Sequence, residues 1–240
     1  MLCDVSTVFT KENLDSCLKE LGKEYRKLNG TSVPAEIILI GGAAILASYG
    51  FRDMTTDVDA VIHASSSMKD AINSVGDKLG LPNGWLNSDF TRTESFSTKL
   101  AEISVYYKTF SNVLQIRTVS AEYLIAMKLR SGRRYKNDLS DIIGILYEHQ
   151  KKRKPITMDS VSDAVDVLYG GWDDIPESSK DFIDNAFMSV DYEELYAGIM
   201  ADERPSKDIL IGFEKEYPNA AAESNVDDIL DTLKKKYQEK

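Results

Sequence analysis

Apolar residues recur at helical spacing over residues 8–28: Phe9, Leu14, Leu18, Leu21 and Tyr25 fall on one face, with Lys and Glu on the other. Asn29-Gly30 ends this helix and Pro34 follows it. The period then changes. Glu36-Ile37-Ile38-Leu39-Ile40 is almost uninterruptedly apolar, as in a buried strand, and Gly41-Gly42 turns the chain into a helix predicted over 43–49 and closed by Gly50. Over 56–63, Val58, Ala60 and Ile62 alternate with Asp57, Asp59 and Val61, which predicts a second strand. A helix over 67–79 stops at Gly80, and the segment 81–86 reads as loop. Two strands, 103–108 and 113–119, flank a Ser111-Asn112 turn. Ser120 caps a helix running to about Arg130, Gly132 breaks it, and a helix resumes over 136–149. Beyond Lys151-Lys152-Arg153-Lys154-Pro155, read as a linker, the pattern is helical near 158–170, 177–187, 190–200 and 224–238.

This order of elements predicts an α/β domain over 1–154, with a small mixed sheet flanked by helices and its core at about 36–150. A helical C-terminal region, 155–240, follows. The charge supports the division. Residues 155–240 hold 8 Lys and Arg against 21 Asp and Glu, the remainder 21 against 18, so the net −10 separates into −13 and +3. So acidic a C-terminal half argues against a protein that coats nucleic acid non-specifically, while the N-terminal half can still bind phosphate locally. Cys3 and Cys17 are too few for a disulfide scaffold and read as free thiols. The chain opens without a secretory signal and has no apolar run that would span a bilayer, so a cytoplasmic protein without membrane association is expected.

The chemistry concentrates in Ile38-Leu39-Ile40-Gly41-Gly42-Ala43-Ala44 and in Thr56-Asp57-Val58-Asp59-Ala60-Val61. A Gly-Gly alone marks a tight turn, and an Asp-x-Asp alone is a solvated strand face. In the order strand, Gly-Gly, helix, Asp-x-Asp strand they point to a metal and nucleotide site. Residues i and i+2 of a strand share a face, so Asp57 and Asp59 project together, and a divalent cation removes the cost of two adjacent negative charges. Ligands that are all oxygen suit Mg²⁺ or Mn²⁺, with substrate phosphates completing the set. Gly41 and Gly42 would let phosphate approach the backbone at a helix start that presents free N–H groups.

These stretches resemble the nucleotidyltransferase superfamily signature, hydrophobic–Gly–Gly/Ser, a spacer, then Asp–hydrophobic–Asp/Glu–hydrophobic. More narrowly they resemble uncharacterised bacterial nucleotidyltransferase-like proteins related to the AbiE-type toxins of phage-defence systems. Lys128, on a helix, followed by Lys136, Asp138 and Asp141, is similar to that group's second motif, and Leu81-Pro82-Asn83-Gly84-Trp85-Leu86-Asn87 to one of its loops. The resemblance spans about 36–150. It implies a nucleotidyltransferase-like fold and transfer of a nucleoside monophosphate from a triphosphate to an acceptor hydroxyl, on tRNA, protein or a small molecule. It also implies an antitoxin partner. Asp57, Asp59 and Lys128 would be catalytic, with Asp57 and Asp59 on the metal; Gly41, Gly42, Lys136, Asp138 and Asp141 would bind nucleotide. Read physically, Lys128 is a cation suited to triphosphate oxygens, and Asp138 and Asp141, three apart on one helix face, would hold Lys128, contact a ribose hydroxyl or place a substrate.

The pattern departs from polymerase-like relatives, many of which carry a third carboxylate on a later strand. The aligned strand here offers Gln115, and Glu102 is a substitute. His63, directly after the Asp-x-Asp strand, is either a border of the site or a structural histidine. Two readings of function stay open: an active enzyme, or a module of the same fold that binds nucleotide or a protein without turnover. A third places partner binding in the C-terminal region, with its Tyr169, Trp172, Tyr192 and Tyr196.

Overall fold

The computed structural model describes residues 8–133, 137–217, 220 and 225–238. Two compact units form, Met1–Met127 with Asp159–Asp173, and Lys128–Met158 with Asp174–Lys240.

The first unit opens with α1 (Lys11–Asn29), started by a capping box in which Thr10 and Asn13 bond each other's backbone N–H. Its predicted stripe is the face it buries: Leu14, Leu18, Leu21 and Tyr25 are almost wholly removed from solvent. Next come β1 (Ala35–Leu39), α2 (Gly41–Ser48), β2 (Val58–His63), α3 (Ser67–Leu79) and a two-residue β3 (Leu86–Asn87). A four-residue α4 (Leu100–Ile103) leads into β4 (Ser104–Phe110), which turns into β5 (Leu114–Val119) and then α5 (Ala121–Ser131). The β4–β5 turn is at Ser111 and Asn112, whose φ values of 54° and 56° suit the right-handed twist of a tight hairpin.

The five strands form one mixed sheet in the order β3-β2-β1-β5-β4. β1 is antiparallel to β2 and parallel to β5; β3 runs parallel to β2, and β4 antiparallel to β5. Ile37, Leu39, Val58, Ala60, Leu114 and Ile116 form the fully buried side of this sheet. A mixed α/β fold with a helical C-terminal region is therefore what the alternating periods produce.

In the second unit α6 (Asp138–Lys151) packs on α9 (Tyr192–Glu216), and α9 on α10 (Val226–Gln238). α8 (Glu177–Met188) also belongs to this unit, whereas α7 (Met158–Tyr169) belongs, from Asp159 on, to the first. α9 continues past 200, where the sequence pattern had ended it, and runs through Pro205. β3 was read as loop because two residues carry no period.

Candidate functional site

The sheet topology brings the Gly-Gly and Asp-x-Asp stretches of the sequence to one end of the sheet. β1 ends where antiparallel β2 begins: Leu39 is opposite Ala60, and the Ile40 N–H donates to the Asp59 carbonyl at 2.9 Å. The chain then enters α2 at Gly41, so the start of that helix stands beside the start of the Asp-x-Asp strand. Val58 and Ala60 are buried, Asp59 is half-buried on the opposite side, and Asp57, one residue before the strand, is exposed. Asp59 lies opposite Asn87 of β3.

The two glycines have different neighbourhoods. Gly41 has φ +53°, a conformation costly for other residues, and a side chain added there would meet nothing within 4 Å. That open space adjoins the first turn of α2, whose N-terminal residue, Ile40, makes no side-chain cap. At Gly42 an added Cβ would come within 2.7 Å of the Thr55 hydroxyl and 2.8 Å of the Arg52 guanidinium. Helix α2 therefore starts at the glycines themselves, two residues before the predicted Ala43, and Gly42 makes room for side chains returning from the loop ahead of β2. Arg52 is oriented by its Nε, which donates to the Met54 carbonyl at 3.1 Å. Thr55 is almost fully buried; its backbone exchanges two hydrogen bonds with Phe9, and its hydroxyl donates to Asp57 Oδ1 at 3.3 Å. Sequence reasoning missed Arg52 and Thr55, because their nearness to Gly42 comes from the closure of the 49–57 loop, which no local period announces.

The residues considered for a third carboxylate lie elsewhere on the sheet. Gln115 faces the same side as Asp59, two rows down the sheet, where its amide donates to Glu36 at 3.5 Å; Glu36 also lies 3.7 Å from the Arg117 Nε. Glu102, exposed in α4, precedes the edge strand β4, which begins at the same end of the sheet as Asp57 but lies three strand spacings, roughly 14 Å, from β2. His63 closes the far end of β2, opposite Glu36 and roughly 13 Å along the strand from Asp59, so it does not border the Asp57 end.

Lys128, Asp138 and Asp141 meet within the second unit. The Lys128 amino group is 2.5 Å from Asp138 Oδ1 and 2.8 Å from Asp141 Oδ2, and all three residues are buried. Asp138 Oδ2 also accepts from Ser131 Oγ at 2.6 Å and from Arg133 Nε at 3.0 Å. Burial by itself raises the pKa of Asp138, but Lys128, Arg133 and the Ser131 hydroxyl outweigh it and hold the carboxyl well below the usual range. Two residues after Asp138, Ser140 donates its N–H at 3.1 Å and its hydroxyl at 2.6 Å to buried Glu203 of α9. Of the three roles open to the aspartates, holding Lys128 is the one this geometry displays. Lys136 lies outside the described residues.

Among the described residues, no three His, Cys, Asp or Glu gather around one point as a cage for an ion. Asp57, exposed, and Asp59, half-buried, are oxygen donors at the start of β2, the donor type that Mg²⁺ takes from a protein when phosphates and water complete its shell. The residues present fit such an ion. No helix among the described residues is long and apolar enough to cross a membrane.

Residues 16–151, more than half of the chain, match a family described as nucleotidyltransferase of unknown function (DUF6036). No curated protein and no solved structure matches the chain.

Proposed function

Since the chain belongs to this nucleotidyltransferase family, we propose that it transfers a nucleoside monophosphate from a triphosphate to an acceptor hydroxyl, with Asp57 and Asp59 as the Mg²⁺- or Mn²⁺-binding carboxylates. One observation carries the reading: the open helix start at Gly41 stands next to the start of β2, with Asp57 just before that strand and Asp59 within it. In this reading the α2 N–H groups and the Arg52 guanidinium receive phosphate oxygens, through the helix dipole and a charge-assisted contact. The cation supplies charge neutralisation and polarises the phosphorus under attack. The acceptor oxygen bonds to the α-phosphorus, the bond from that phosphorus to the bridging oxygen breaks, and pyrophosphate leaves. The hydroxyl proton passes to one of the two carboxylates. The likeness to AbiE-type toxins makes RNA, tRNA in particular, or protein the acceptor class we favour, in a cytoplasmic defence component neutralised by an antitoxin.

For Lys128 the buried geometry favours a second role. Fixed between Asp138 and Asp141, it ties α5 to α6 as a structural clamp, as well as being the cation the family motif assigns to nucleotide. The displaced Gln115 and Glu102 likewise favour a reading in which the fold binds nucleotide without turning it over.

The test is transfer of an α-labelled phosphate from each of the four triphosphates to total RNA, tRNA and protein. Label transfer with pyrophosphate release, lost in Asp57→Asn, supports the enzyme. Nucleotide binding with no release in the presence of every acceptor supports the binding module. Transfer unchanged in Asp57→Asn contradicts the assignment of the carboxylates.

A further inference from the structure

Thr55 is in an unusual position for a threonine at the start of a loop–strand junction. It is 4% exposed, and both its backbone groups are committed to Phe9, through N–H···O bonds of 2.7 and 2.9 Å. Phe9 is itself fully buried and stacks on Trp85 with ring centroids 5.9 Å apart. The backbone at Thr55 is thus clamped from outside the loop, and its side chain has little freedom left. The hydroxyl lies in the space that a Cβ at Gly42 would take, 2.7 Å from that position, and from there donates to Asp57 Oδ1 at 3.3 Å. Donating to one carboxylate oxygen restricts the orientation of the whole carboxylate, and Asp57 is exposed.

We propose that Thr55 is a positioning residue for Asp57, and that Gly42 lacks a side chain in order to admit the Thr55 hydroxyl. The inference rests on the reading of Asp57 as a metal-binding carboxylate. It gives the second glycine a task different from the first: Gly41 leaves open space for the nucleotide, whereas Gly42 leaves space for the group that aims the Asp57 carboxylate. Outer partners of metal-binding side chains usually govern affinity through orientation, so loss of this hydroxyl should weaken the ion's hold without removing a ligand.

The experiment measures Mn²⁺ uptake by electron paramagnetic resonance on the full chain, with Mn²⁺ alone and with each of the four triphosphates. It compares wild type, Thr55→Val, Thr55→Ser and Asp57→Asn, with thermal melting of each. Thr55→Val keeps the shape and removes the donor; it should weaken Mn²⁺ binding about 10- to 100-fold. Thr55→Ser keeps the donor and should restore binding to within about threefold of wild type, a recovery that simple packing at a buried site would not give. Asp57→Asn should lose the ion. Should Thr55→Val fail to melt cooperatively, Thr55→Ala, which cannot crowd Gly42, takes its place with the same expectation. If the valine or alanine variant binds Mn²⁺ like wild type while Asp57→Asn does not, Thr55 has no positioning role, though the metal site stands. If wild type takes up no Mn²⁺ under any condition, the metal-binding reading falls and this inference with it.

Discussion

The residues that matter divide into those that a pattern reveals and those that only folding brings together. Asp57 and Asp59 announce themselves through alternation with Val58 and Ala60, and the buried side of β2 is the one that alternation predicts. Arg52 and Thr55 are invisible to such reasoning, since they precede the strand without periodicity and acquire meaning only beside Gly42. Asp57→Asn and Asp59→Asn are each expected to lower nucleotidyl transfer by about 10²- to 10³-fold, the scale of losing one group that stabilises charge at the reacting phosphorus. Asp138 is the opposite kind of aspartate. Its replacement by Ala leaves buried Lys128 with Asp141 alone and takes the acceptor from Ser131 and Arg133, and should cost on the order of 1–3 kcal/mol in denaturant unfolding. Because the folded protein holds Asp138 below its unfolded value of about 3.9, its contribution is fully present above that pH and is lost as pH falls through the lower, folded value. Denaturation from pH 6 down to pH 3 should therefore show stability falling below about pH 4, with a shallower fall in Asp138→Asn.

At the level of elements, helices long enough to show their period were legible to within a few residues, as α1 and α3 show. Misreadings fell where the local signal and the tertiary packing disagree. Pro205 would normally end a helix, yet α9 passes through it, with neighbouring Glu203 and Ser206 buried on one side. The predicted start of α2 at Ala43 gave the glycines a turn of their own; in the fold they are the helix's first two residues, and the left-handed φ is confined to Gly41. Gly41→Ala should consequently cost about 1–2 kcal/mol through backbone strain, measured by denaturant unfolding. In the β4–β5 hairpin, Asn112→Gly should add a few tenths to about 1 kcal/mol, because both turn residues hold positive φ and glycine does so without strain.

For the whole molecule, charge and composition divided the chain at a basic linker after residue 150, and the chain there is indeed non-helical between α6 and α7. Compactness divides it differently, grouping Lys128–Met158 with Asp174–Lys240. The reason lies in contacts remote in sequence, among them the buried Ser140–Glu203 pair and the packing of α6 on α9, which composition cannot register. Tyr169 and Trp172, named with a partner-binding C-terminal region, are half-buried within the first unit, where they donate to the Ser95 carbonyl and the Ser162 hydroxyl. Family membership and the strand–glycine–aspartate order agree on nucleotide chemistry, and what the acceptor is depends on surfaces that carry no motif. The central claim is that the two carboxylates at the start of β2 hold a nucleotide through a divalent cation. Its most direct test is calorimetry of the four triphosphates, with and without Mg²⁺, on wild type and on the Asp57→Ala/Asp59→Ala double variant. The account predicts binding of at least one triphosphate that requires Mg²⁺ and disappears in the double variant. Equal binding by the double variant, or binding indifferent to Mg²⁺, would contradict it.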